Sequence, residues 1–130
     1  MGNLLSIKAI DNIQLVNFDH IKSKDKDTIM INTLPQSQQE CIISGTLSIN
    51  KEIELINKLL RENKMQEIII YGKNSSDKSV ISKYLQLYNL GFRNIKLYNG
   101  GIFEWLLLQE IYGNEQFSTT EDILDILKYK

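Results

Sequence analysis

The sequence predicts an α/β fold, with a mostly parallel central sheet and helices on both of its faces. Three observations predict it. Compact apolar runs at 28–32, 68–71 and 94–98 look like strands buried on both sides. Amphipathic or apolar helical stretches at 50–63, 79–90 and 102–112 lie between and after them. Strand and helix then alternate from residue 50 onward, the order a parallel sheet needs because its crossovers are helices.

Residues 1–12 are weakly patterned and read as an N-terminal arm, mobile relative to a single domain over 13–130. Residues 13–18 alternate enough for a short strand. Residues 21–27 are charged and read as a turn or short helix. Thr28-Ile29-Met30-Ile31-Asn32 is the expected central strand. Pro35 and three glutamines mark 33–41 as loop with a helical turn, and Ser44-Gly45 marks a turn. Asn50 can cap a helix over 50–63. Ile53, Ile56 and Leu60 form its apolar face, and Glu52 and Glu54 suit its positive end. Ile68 to Tyr71 is the next buried strand. A helix over 79–90 carries Ile81, Tyr84, Leu85 and Tyr88 on one face, with Gly91 available for a left-handed end. Residues 94–98 form a strand, and 102–112 a helix ended by Gly113. Thr119 or Thr120 caps a last helix over 121–128.

The 130 residues suit one domain with one core. A formal net charge of −1 leaves no basic excess for a nucleic-acid partner. Cys41 is the one cysteine, so no internal disulfide can form. With His20 as the one histidine, a Cys/His zinc cluster is excluded, and neither metal nor cofactor is expected. Cys41 reads as a small semi-buried residue rather than a reactive thiol. His20 reads as a surface or strand-edge residue. No apolar run approaches the roughly 20 residues of a bilayer span, and no signal-peptide pattern opens the chain. The expected location is cytoplasmic.

In open parallel sheets the binding crevice lies at the carboxyl ends of the strands. The loop Gly72-Lys73-Asn74-Ser75-Ser76-Asp77-Lys78-Ser79 leaves such an end and enters a helix. It can aim several backbone N–H groups, and the helix dipole, at one anion. Lys73 and Lys78 are then either anion contacts or ordinary solvated lysines. Ser75 and Ser76 read as turn formers, since no histidine base lies near them in sequence.

Together with Leu90-Gly91-Phe92-x-Asn94-Ile95 and Gly100-Gly101-x-x-x-Trp105, this layout resembles the rhodanese-like family over roughly residues 28–113. The resemblance implies a three-layer fold of sulfurtransferases and dual-specificity phosphatases. It implies that the loop would hold a cysteine nucleophile at its first position, where this chain has Gly72. It places Lys78, six residues after Gly72, where the phosphatases of this fold have arginine. Lysine keeps the charge and loses the bidentate fork. The family's D-V-R strand end matches only Asn32-Thr33-Leu34. Its G-H-I-P-G-A turn matches Cys41-Ile42-Ile43-Ser44-Gly45-Thr46. The expected function is a catalytically inactive rhodanese-like domain that binds a protein or a small anion. The alternative is a divergent sulfurtransferase or phosphatase with unconventional chemistry. Trp105 is expected to pack over the sheet and support loop 72–78 from behind, or else to anchor a partner. Met1-Gly2-Asn3-Leu4-Leu5-Ser6 fits the N-myristoylation pattern, so weak membrane association through Gly2 is a further expectation. The oligomeric state is left open.

Overall fold

A computed structural model describes residues 4–130, with side chains from residue 7 onward. The elements run α1 Leu4–Asp11, β1 Gln14–Val16, α2 Phe18–Ser23, β2 Ile29–Asn32, α3 Ile49–Glu62, β3 Ile68–Tyr71, α4 Lys78–Leu90, β4 Ile95–Tyr98 and α5 Gly101–Tyr112. Short 3₁₀ turns occur at Gln36–Gln38 and Ile126–Tyr129. The strands form one sheet in the order β1-β4-β3-β2, and every pairing is parallel.

Strand periodicity sorts the core into two halves. Ile68 and Ile70 of β3, Ile31 of β2, and Ile95 and Leu97 of β4 face α1, α3 and α4. Ile69 and Tyr71, Met30 and Tyr98 face α2, α5 and the segment after α5. All four β3 side chains are buried, as befits a strand with neighbours on both edges and helices on both faces. Tyr71 Oη accepts the Ile43 N–H at 3.0 Å and pairs with Thr46 Oγ1 at 2.7 Å, which pins the turn after Cys41 to the sheet.

Several elements differ from the sequence reading. Residues 4–11 of the expected arm form α1. Its Ala9 is wholly buried, and the Ala9 carbonyl accepts from Tyr84 Oη on α4 at 2.6 Å. β1 is shorter than 13–18 because Asn17 caps α2, its side chain accepting from Asp19 N, and Phe18 becomes helical. Ser48, not Asn50, caps α3 by accepting from Asn50 N. The helix turns Ile56 and Leu59 inward and leaves Ile53 74% exposed. On α4 the buried residues are Val80, Tyr84, Leu87 and Tyr88, with Ile81 at the surface.

The helix expected over 121–128 does not form. Ser44 N donates to Ser118 O (3.0 Å) and Thr120 N to Ile42 O (2.9 Å), and Ile43 bridges Thr119. The hydroxyl of Thr120 accepts from Ile42 N and donates to Glu40 O instead of capping a helix. Pairing with the 40–44 segment outcompetes local helix propensity here.

Trp105 lies in the core at 4% exposure. Its ring meets Tyr98 and Phe117 edge to face, at 6.2 and 5.0 Å. Its Nε1 donates to Ser118 O at 3.1 Å, so the indole holds the 117–118 segment rather than loop 72–78.

At the amino ends of the strands, Glu67 accepts from Thr28 Oγ1 (2.7 Å), lies 3.1 Å from His20 Nε2, and pairs with Lys96. His20, a partly exposed residue at this end of the sheet, is tied into the cluster. Burial pushes the Glu67 carboxyl up, but hydrogen bonds from Lys96, Thr28 and His20 outweigh it and bring it down to about 2. A carboxylate depressed on folding stabilises the protein above its ordinary value near 4.5. That contribution fades as pH falls through about 2. Glu67→Gln is expected to cost about 1–3 kcal/mol near neutral pH. It should also flatten the acid limb of stability, as read by urea unfolding at stepped pH.

Candidate functional site

The loop after β3 opens at the carboxyl ends of the parallel strands and enters α4. Its backbone is held from two sides. Gly72 O and Lys73 O accept the Ile102 and Phe103 N–H groups at 2.9 and 3.0 Å, which satisfies donors at the start of α5. This packing explains the second glycine of the pair. Gly101 has φ +67, and a Cβ there would lie 2.7 Å from Gly72 O and 3.0 Å from Asn74 N. Backbone occupies that space, so no side chain fits. On the other side, Asn74 Nδ2 donates to Tyr129 O at 2.8 Å, and Asn74 Oδ1 accepts from Ser76 N at 2.9 Å.

The interior of the loop is filled by Asp77. This residue caps α4, with Oδ1 accepting from Ser79 N at 3.0 Å and from Ser79 Oγ at 2.6 Å. Its other oxygen, Oδ2, accepts the Lys73 N–H at 2.8 Å. Ser79 Oγ in turn lies 2.7 Å from Thr33 Oγ1, just beyond β2. Burial pushes the Asp77 carboxyl up, but hydrogen bonds from Ser79 and Lys73 outweigh it and leave it below the ordinary carboxylate range.

Gly72 is buried at the mouth of this arrangement. A Cβ on it would lie 2.4 Å from Asp77 Oδ2, 2.6 Å from Val80 Cγ2 and 2.7 Å from Thr33 Oγ1. Three side chains from β3's surroundings therefore converge on the space that a residue-72 side chain would need.

Outside this knot, Lys73, Asn74, Ser76, Asp77, Lys78 and Ser79 line an open cleft of about 550 Å³, together with Thr33, Pro35 and Gln38. Ser75, Ser76, Lys78 and Ser79 are exposed, and Lys73, Asn74 and Asp77 are half-buried. Gly72 does not line this cleft, and Ser75 faces a separate one with Tyr98 and Phe103. The sequence reading aims several of the loop's N–H groups at one anion, whereas those of Lys73 and Ser79 are bonded to Asp77. It also missed Thr33, which sequence separation hid, and Tyr129. An aspartate directly before a helical run was the available signal for the Asp77 cap.

Cys41 lies outside the loop residues and is wholly buried, with Sγ donating to Glu121 O at 3.3 Å. Burial pushes its thiol up, and hydrogen bonds to Thr119 and Glu121 only partly oppose this. Among the described residues, no cluster of three or more His, Cys, Asp or Glu stands ready to hold a metal ion. No helix among them is long and apolar enough to cross a membrane. Gly2 lies outside the described residues.

The profile of the rhodanese-like domain matches residues 17–108. Among solved structures, the BH2092 protein of Bacillus halodurans is 21% identical. Its TM-score is 0.56, over 79% of this chain and 77% of that one. The Alr3790 protein of Anabaena sp. is 19% identical, with a TM-score of 0.53 over 82% of this chain and 88% of its own. A thiosulfate sulfurtransferase of Pseudomonas aeruginosa is 15% identical, with a TM-score of 0.57 over 80% of this chain and 21% of the enzyme. Identities this low speak to fold alone. Among curated proteins, none matches the sequence.

Proposed function

The chain belongs to the rhodanese-like domain family, and from that premise we propose that it is a catalytically inactive member serving as a binding module. One observation carries this reading. Gly72 stands at the end of β3, where the family resemblance puts the nucleophilic cysteine. The space its side chain would need is taken by Asp77, Val80 and Thr33. Sulfur or phosphoryl transfer through this loop needs a thiolate beneath the loop amides. Glycine supplies no attacking atom.

The remaining thiol does not replace it. Cys41 is fully buried, and its thiol is pushed toward the protonated form. A divergent enzyme would therefore need a nucleophile other than a thiol at the loop's first position. Between the two kinds of client, the bonds of Asp77 to Lys73 N and Ser79 N favour a protein surface over a small anion.

The purified protein is expected to show no thiosulfate sulfurtransferase or aryl-phosphate hydrolase rate above buffer. A rate that scales with protein concentration and disappears in Cys41→Ser would overturn the reading and assign the chemistry to that thiol.

A further inference from the structure

Loops of this kind are built to hold an oxyanion or thiolate under converging N–H groups. Here the negative charge is already part of the chain. Asp77 Oδ2 takes the Lys73 N–H, and Asp77 Oδ1 takes the N–H and hydroxyl of Ser79. A second, independent geometry agrees. Asp77 Oδ2 is the atom nearest to where a Gly72 Cβ would sit, at 2.4 Å. The carboxylate therefore stands in the same space as a side chain at the loop's first position. Thr33, from a different crossover, holds Ser79 Oγ at 2.7 Å and closes the knot from the β2 side.

We propose that the Asp77 carboxylate is a built-in occupant of this loop, an autoinhibitory contact that keeps external phosphate and sulfate out. Two effects exclude them. The Lys73 and Ser79 N–H groups are already used, and a fixed negative charge meets any incoming anion. The positive charges facing the contact are Lys73 and Lys78, which line the cleft outside it. They offer an arriving anion only solvent-screened attraction. The inference deepens the binding-module reading, but it rests on the loop's geometry and not on the absence of catalysis.

The test is a phosphate and sulfate titration followed by backbone amide shifts of residues 72–79 in the full chain. The wild type is compared with Asp77→Gly and Asp77→Ser. Glycine is well tolerated at a helix N-cap. Serine keeps a capping oxygen that is too short to reach Lys73 N. Either variant should retain the wild-type amide pattern away from the loop and bind phosphate at least about tenfold more tightly than wild type. In the wild type, Lys73 N–H should be protected from exchange, and that protection should be lost in both variants. Wild-type binding as tight as that of the variants would overturn the proposal. So would folded variants that bind no better than wild type. A rapidly exchanging Lys73 amide in the wild type would overturn it without any variant. Sulfurtransferase activity in the wild type would instead overturn only the proposed function, so the two failures are distinguishable.

Discussion

Trp105→Ala is expected to remove about 3–5 kcal/mol of stability, a large share of the ~5–15 kcal/mol a domain of this size holds. The indole is 4% exposed and lies between Tyr98 at the end of β4 and Phe117 in the segment after α5. Its truncation opens a cavity where two edge-to-face pairs meet. It also removes the donor to Ser118 O, loosening the chain that pairs with residues 42–44. Trp105→Phe should recover most of the packing but not the hydrogen bond, at a cost of about 1–2 kcal/mol. Denaturant melting separates these cases. A loss below about 1 kcal/mol for alanine would take Trp105 out of the core and make it a candidate partner anchor.

Gly72→Cys should not produce an enzyme and should destabilise the domain by about 2–4 kcal/mol. Forcing atoms into a filled site costs about 1–3 kcal/mol, and displacing the Asp77 cap adds about 1. The new thiol would also meet the Asp77 carboxylate, which disfavours a thiolate. Its pKa, read from alkylation rate against pH, should therefore lie above the ordinary value of roughly 8.5. In Gly72→Cys/Asp77→Gly the carboxylate is gone and the start of α4 is unoccupied. There the thiol should fall below that value, with part of the stability recovered. An acidic thiol in a stable single variant would mean that Asp77 leaves the loop at little cost.

Residue pattern alone determined the frame of this protein. A run such as Ile68-Ile69-Ile70-Tyr71 has few ways to bury every side chain, and a central parallel strand is the simplest. Gly91, with φ +114, ends α4 as a residue lacking Cβ can. The double glycine before α5 was equally legible. Its reason, the close approach of loop backbone to Gly101, was not. Periodicity placed the helices but misjudged their rotation. Ile53 and Ile81 lie at the edges of the apolar stripes, and the helices dock with Ile56 and Leu59, and with Val80 and Leu87, turned inward instead.

Tertiary structure alone decided the two ends of the chain and the state of the loop. Residues 4–11 form a helix docked on α4 through Ala9 and Tyr84. Residues 118–121 follow the 40–44 segment instead of coiling, because partners distant in sequence satisfy their backbone groups. Within the loop, the sequence showed a carboxylate, two lysines and a glycine in order. It could not show that the carboxylate turns inward onto Lys73 N, or that Thr33 and Val80 close on Gly72. Those contacts join the end of β2, the loop and α4. They depend on how the sheet brings crossovers together in space, a distance that spacing along the chain does not encode.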